Sequence, residues 1–147
     1  MIKSYTGVVS QEEQKLRTAE PISNYMTTKI IAFRPEQSIH EAIEILLKNR
    51  ISGAPVVNEQ NELVGVLSEG DCLKEIVKGK YHNHLARPGQ VGDHMTTNVT
   101  TIEQNLTVLD AAHFFLNRRF RRFPVVNEGK LVGLLTQTDV LKAVDSL

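Results

Sequence analysis

Two short stretches set a hydroxyl and a carboxylate three residues apart: Ser68-Glu69-Gly70-Asp71 and Thr136-Gln137-Thr138-Asp139, each just ahead of an apolar helical pattern. At a helix start this spacing makes a capping box. The hydroxyl accepts from a first-turn N–H and the carboxylate reaches back to the cap residue, contributing about 1 kcal/mol to the helix. First-turn N–H groups also favour anions, so a cap can line a binding site as well.

Other constellations are weaker. Arg118-Arg119-Phe120-Arg121-Arg122-Phe123 interleaves basic and aromatic side chains, the composition of a single-stranded nucleic-acid surface. The competing reading sets Arg118 and Arg119 against a helix C-terminus and sends Phe120 and Phe123 into the core. His82, His84 and His94 lack the i, i+4 spacing and the flanking Cys or carboxylates of a metal site, so no metal is expected. Cys72 follows Asp71 at a helix start, where a thiol pKa can fall, but its apolar helical position points to packing, with redox sensing a side reading. Gly-x4-Gly-Lys-Ser/Thr, Gly-x-Gly-x-x-Gly, Gly-x-Ser-x-Gly and His-Glu-x-x-His are absent from the sequence. No catalytic residue is assigned, and the chain is read as non-enzymatic.

Composition narrows the class. The 147 residues are 41% hydrophobic and 23% charged, which suits one compact domain or two small halves sharing a core. Lys+Arg and Asp+Glu balance at 17 each, giving a net charge of +0, so a strong electrostatic footprint for nucleic acid is not expected. The single cysteine excludes an internal disulfide framework and agrees with a reducing compartment, the cytoplasm by default. No window is long and apolar enough for a membrane span, and the start, Met1 to Gly7, lacks the apolar region of a secretory signal, so the whole chain is treated as mature.

The elements that must position these residues come twice. Ile22-Ser23-Asn24-Tyr25-Met26-Thr27-Thr28 aligns with Val91-Gly92-Asp93-His94-Met95-Thr96-Thr97, and one single-residue gap after Asn58-Glu59 carries the match to Val77 against Asp145. Duplication is the natural explanation. In the first copy a short apolar segment, Lys29 to Phe33, precedes a Ser38-x-x-Glu41 capping box. Ile39, Ala42, Ile43, Leu46 and Leu47 then recur at helical spacing, with the helix stopping near Ser52-Gly53. Pro55-Val56-Val57 and Leu63 to Leu67 read as a hairpin, and a second helix begins near Asp71. The second copy repeats this with a cap at Thr107 to Asp110, strands at Pro124 to Val126 and Leu131 to Leu135, and a last helix from about Asp139.

The expected organisation is an N-terminal arm (1–20), a first repeat (21–78), a linker (79–90) and a second repeat (91–147), an α/β (α+β) fold of two β-α-β-β-α units. A unit of this size buries too little surface alone, so the two are expected to pack face to face with pseudo-two-fold symmetry, generating two related clefts. The Gln11 to Glu20 arm allows a solvated helix but has no strong apolar stripe.

Met-Thr, a helix, x-Pro-Val-Val and Leu-Val-Gly-x-Leu-Ser/Thr-x-x-Asp, in that order and twice, resemble the cystathionine-β-synthase (CBS) domain, whose tandem pair is called a Bateman module. The carrying residues are Ala54-Pro55-Val56-Val57 with Gly65 to Asp71, and Phe123-Pro124-Val125-Val126 with Gly133 to Asp139. The resemblance covers about residues 22 to 145. It implies a regulatory module that binds an adenine nucleotide or adenosyl compound, AMP, ADP, ATP or S-adenosylmethionine, with AMP or ATP foremost, and that dimerises with itself.

On that resemblance Asp71 and Asp139 accept the vicinal ribose hydroxyls, with Ser68 and Thr136 one turn away where backbone N–H groups favour phosphate. Ile30, Val99, Ala54, Pro55, Phe123 and Pro124 would hold the adenine, with Ser52 in the flank of the first copy. Family members often place a basic residue before the proline for phosphate; Arg122 and then Arg121 fit that role in the second copy, whereas the first has Ser52-Gly53. The two clefts should therefore differ in affinity. By the same resemblance each cleft would combine the Asp of one repeat with the proline flank of the other. The competing class is a constitutive dimerisation or protein-interaction module with vestigial clefts, and RNA binding is a third reading.

Overall fold

The computed structural model describes residues 12, 18–82, 89–118 and 120–145. Most of the arm expected at 1–20 and much of the linker expected at 79–90 lie outside the described residues.

The helices form where hydrophobic spacing and caps coincide. Helix α1 (Ile39–Asn49) buries Ile39, Ala42 and Leu46 on one face and starts at Ser38, whose side chain accepts from Glu41 N. It ends earlier than the sequence suggested. Arg50 adopts the left-handed conformation (φ 54°), its N–H donates to the Leu47 carbonyl, and the next N–H, of Ile51, donates to Leu46. This doubly bonded cap satisfies the Leu46 and Leu47 carbonyls and turns the chain out of the helix before Ser52 is reached. Strands β1 (Gly53–Val57) and β2 (Leu63–Ser68) pair antiparallel, with Gly53 opposite Ser68 and Ala54 opposite Leu67. Helix α2 (Glu69–His82) follows directly, and one turn, α3 (Val91–His94), opens the second repeat.

The second repeat supplies β3 (Ile102–Glu103), α4 (Val108–Arg118), β4 (Arg122–Asn127), β5 (Lys130–Thr136) and α5 (Gln137–Asp145). Its sheet has the order β3-β4-β5. The β4–β5 turn sets Glu128 (φ 51°) and Gly129 (φ 80°) both left-handed, the conformation that matches the twist of a two-residue hairpin.

Both α2 and α5 begin two residues earlier than expected, because the hydroxyl of each Ser/Thr-x-x-Asp stretch stands outside the helix and the Asp is its third residue. The first strand expected at Lys29 to Phe33 shrinks to one parallel bridge, Phe33 to Val56, with Phe33 N donating to Pro55 O and Val57 N to Phe33 O. The next bond of that ladder would come from the N–H that Pro55 lacks, so pairing cannot extend back toward Ile30. The β-α-β-β-α order otherwise holds in both copies.

The chain divides into two compact units that cut across the repeats. One contains the segment up to Thr28 with 101–125 and 132–147; the other contains 29–100 with 126–131. In the first unit, Ile22 N donates to Leu106 O, Val108 N to Glu20 O, and Thr27 and Leu134 exchange both backbone bonds at 2.8 and 2.9 Å. In the second, Ile39 N donates to Gly89 O, Val91 N to Gln37 O, and Thr96 and Val66 exchange both bonds at 2.9 Å. The Met-Thr head of each repeat is thus stitched to the hairpin of the other.

Glycine permits the stitch: a Cβ on Gly65 would lie 2.7 Å from Met95 Sδ and 2.9 Å from Thr96 O, and one on Gly133 would lie 2.6 Å from Met26 Sδ and 3.0 Å from Thr27 O. Each unit has its own core. One is built on Ile22, Phe115, Phe123, Val125 and Leu135, the other on Phe33, Ile39, Leu46, Val56, Leu67 and Val91.

Candidate functional site

The two Ser/Thr-x-x-Asp stretches fold alike. Asp71 Oδ2 accepts from Ser68 N and Ser68 Oγ, both at 2.9 Å, and Asp71 N donates back to Ser68 Oγ at 3.2 Å. Asp139 Oδ2 accepts from Thr136 N at 2.9 Å and Asp139 N donates to Thr136 Oγ1 at 3.1 Å. Both are complete capping boxes. Each occupies a single carboxylate oxygen, and Oδ1 accepts none of the hydrogen bonds found among the described residues. Asp71 is nonetheless buried and Asp139 half-buried. A preorganised carboxylate with one oxygen committed and one available is suited to accepting further hydroxyl or amide donors.

The hairpins bring the proline flanks to these caps. Gly53 pairs with Ser68, and Glu69 N donates to Ser52 O at 2.8 Å, so Ser52, Ala54 and Pro55 border the Ser68–Asp71 stretch. In the second copy Gln137 Nε2 donates to Phe120 O at 3.3 Å, which fastens the segment just before Arg121 and Arg122 to the start of α5. In each copy the flank therefore adjoins the Asp of its own repeat. What the other repeat adds to the first hairpin is the segment entering at Thr96, which includes Val99. Ile30 shares that compact unit and, like Val99, is half-buried. Pro55, Pro124, Ala54 and Phe123 are buried, whereas Arg121, Arg122 and Ser52 are exposed.

The basic and aromatic run divides. Phe123 is buried among Phe114, Phe115 and Phe120, with ring centroids 5.9, 4.9 and 5.4 Å away. Arg118 lies over the Phe114 ring, 5.2 Å from its centroid. Phe120, expected in the core, is 46% exposed, because it precedes the strand and only its edge reaches Phe123. Arg119 lies outside the described residues.

Cys72 packs in the core of its unit. Burial first, then the neighbouring carboxylates of Asp71 and Glu69, raise its thiol pKa. This is opposite to what a reactive cysteine needs and counts against redox sensing. His94 Nε2 meets Glu75 Oε2 at 2.7 Å, while Glu75 Oε1 accepts from Gly89 N at 3.3 Å. That pair, unmarked by any motif, ties α3 to α2. The His82 side chain and His84 lie outside the described residues, among which no cluster of three or more His, Cys, Asp or Glu side chains forms a metal site. No helix among the described residues is long and apolar enough to cross a membrane.

The chain is similar to the uncharacterised protein MJ1225 of Methanocaldococcus jannaschii, 32% identical over 127 residues, which are 86% of this chain; the match spans 44% of that longer protein. It is also similar in structure to CBSX2 of Arabidopsis thaliana, solved in complex with AMP, with a TM-score of 0.74, 31% identity and coverage of 86% of this chain and 97% of that one. The CBS domain pair of MJ0100, solved in complex with 5-methylthioadenosine and S-adenosylmethionine, superposes with a TM-score of 0.68 at 25% identity, covering 87% of this chain and 98% of that one. The family model of the CBS domain matches twice, at residues 22–78 and 91–146, which are the two repeats whose hairpins and capping boxes are described above. The chain belongs to the CBS domain family, as a tandem pair.

Proposed function

We propose that this CBS pair is a regulatory module that binds an adenosine-containing ligand, AMP or ATP foremost, at the hairpin ends marked by Ser68–Asp71 and Thr136–Asp139. The observation that carries the reading is the duplicated cap, in which one carboxylate oxygen holds the helix start and the other remains available beside a proline strand. Asp71 and Asp139 would take the ribose hydroxyls, and the first-turn N–H groups of α2 and α5, with Arg121 and Arg122, would face phosphate. Ala54, Pro55, Phe123, Pro124, Ile30 and Val99 would flank the base. The AMP held by CBSX2 and the adenosyl compounds held by the MJ0100 pair support the ligand class. Each repeat, 21–78 and 91–147, supplies one such end. A regulatory effect then follows only from a ligand affinity that differs between two arrangements of the module.

The molecule is further proposed to act as a homodimer. Leu47 and Leu116 occupy equivalent positions on α1 and α4, and Leu73 and Leu141 on α2 and α5; all four are at least 61% exposed. Identical apolar residues exposed in both copies suit a partner surface. A reducing, cytoplasmic setting suits the buried free thiol.

Isothermal titration with AMP, ATP and S-adenosylmethionine tests the ligand reading, using the wild type, Asp71→Asn and Asp139→Asn. Asparagine keeps an oxygen for the cap N–H and removes the charge. The expected result is binding to the wild type that falls at least about tenfold in one or both variants with melting temperatures nearly unchanged. Absence of heat with every ligand, together with an unshifted melting temperature, would leave an interaction module whose carboxylates only cap helices.

A further inference from the structure

The two hairpin ends share their capping geometry but not their charge. At the first, the flank Ser52-Gly53-Ala54 is uncharged and the cap carries two carboxylates, Glu69 and Asp71. The backbone of this cap is fixed by the bond from Glu69 N to Ser52 O and the Asp71 carboxylate by Ser68, while the Glu69 side chain is exposed beside them. At the second, Gln137 stands in place of Glu69 and its side-chain amide holds the Phe120 carbonyl; the flank then continues into two exposed guanidinium groups, Arg121 and Arg122. The basic residue further upstream, Arg50 in the first repeat and Arg119 in the second, is common to both sequences and does not distinguish them. The first end thus presents two negative groups and no cation in its flank, and the second presents one negative group beside the exposed guanidinium of Arg121.

From this we infer that the two ends select opposite ligand charges: Thr136–Asp139 takes a phosphorylated adenosine compound, and Ser68–Asp71 takes an adenosine derivative that is uncharged or cationic at its 5′ end. The inference rests on the adenosine reading above and deepens it. The hydroxyl–carboxylate cap is the same at both ends, so what differs is the net field a 5′-phosphate would meet. Glu69 repels it where Gln137 does not, and Arg121 attracts it where Ser52 does not. Two such differences, each changing affinity by roughly three- to tenfold at a half-exposed site, compound to a swing of about tenfold or more in phosphate preference. A cationic group reverses the sign at both ends.

The experiment measures adenosine, 5-methylthioadenosine, AMP and ATP by isothermal titration in the full-length protein, with Asp139→Asn to weaken the second end and Asp71→Asn to weaken the first. In Asp139→Asn, adenosine and 5-methylthioadenosine should bind at least as well as AMP, and adding Glu69→Gln should raise AMP affinity about three- to tenfold while leaving adenosine unchanged. In Asp71→Asn, AMP and ATP should bind at least about tenfold tighter than adenosine, a margin that narrows at high salt and that Arg121→Ser reduces. Equal AMP-to-adenosine ratios at both ends, or a ratio unmoved by Glu69→Gln and Arg121→Ser, would overturn the charge inference and leave the adenosine reading standing. Failure of all four ligands to bind the wild type would overturn both.

Discussion

Replacing Gly65 by alanine probes the joint that holds each repeat's head on the other's hairpin. The new Cβ would sit 2.7 Å from Met95 Sδ and 2.9 Å from Thr96 O. The thioether is the far end of a flexible side chain and can swing away. The carbonyl cannot, because Thr96 is held by two 2.9 Å backbone bonds to Val66, the residue next to Gly65. Restoring ordinary contact requires the strands to part by about 0.5 Å, which stretches both bonds past good geometry. Two weakened bonds at about 1 kcal/mol each, with the strain of overpacking, cost about 2–4 kcal/mol. Alanine recovers about 0.4–1 kcal/mol of this by restricting the unfolded chain, leaving a net loss of about 1.5–3 kcal/mol. For a chain of this length that is a fall in melting temperature of about 4–10 °C, readable by calorimetry or urea titration. Gly70→Ala is the internal control. Its Cβ would meet only Ser68 Oγ, at 3.6 Å, inside α2, so it should stabilise by about 0.5–1 kcal/mol. A Gly65→Ala protein as stable as the wild type would refute the claim that close approach of the Thr96 backbone demands glycine.

Arg50→Gly should raise stability by up to about 1 kcal/mol, since glycine adopts the left-handed cap of α1 without a Cβ penalty; a lower urea midpoint would show that the arginine side chain contributes more than its backbone conformation costs. Phe123→Ala removes the ring on which Phe114, Phe115 and Phe120 converge and should cost about 3–5 kcal/mol, seen as a loss of cooperative unfolding or a large shift in midpoint. Cys72 is a group whose folded pKa is raised, so the folded state holds the thiol proton more tightly than the unfolded chain does. Its contribution is complete below the unfolded value of about 8.5 and is lost as pH climbs from there through the higher folded value. Urea midpoints should therefore decline above about pH 8.5 in the wild type and decline less in Cys72→Ala, and identical alkaline slopes would count against the burial argument.

Much of the architecture was legible because local signals agreed with one another. The Ser38, Thr107, Ser68 and Thr136 caps, the helical spacing of Ile39, Ala42 and Leu46, and the Pro-Val-Val and Leu-Val-Gly-x-Leu strands all reappear as read, twice. Misreadings arose where a single atom or a distant partner decides the outcome. The strand expected at Lys29 to Phe33 stops at one bridge because Pro55 lacks an N–H, and α1 stops at Arg50 because a non-glycine residue takes a left-handed cap. Phe120 stays half-exposed because it precedes the strand and meets Phe123 only edge-on. The Glu75–His94 pair joins residues without a shared motif and could be found only in three dimensions.

The sequence by itself determined the duplication, the order of elements, the hydroxyl–carboxylate pairs and the charge difference between their flanks. These are properties of spacing and residue type, which operate within a helical turn or along one strand. Only the tertiary structure decided that Met26-Thr27 docks at Gly133 and Met95-Thr96 at Gly65, so that each compact unit borrows its head from the other repeat. Two heads that share Met-Thr-Thr and two hairpins that share Pro-Val-Val and Leu-Val-Gly-x-Leu offer similar local energies in either pairing. The choice between them rests on chain reach and packing, terms that appear only when distant segments meet.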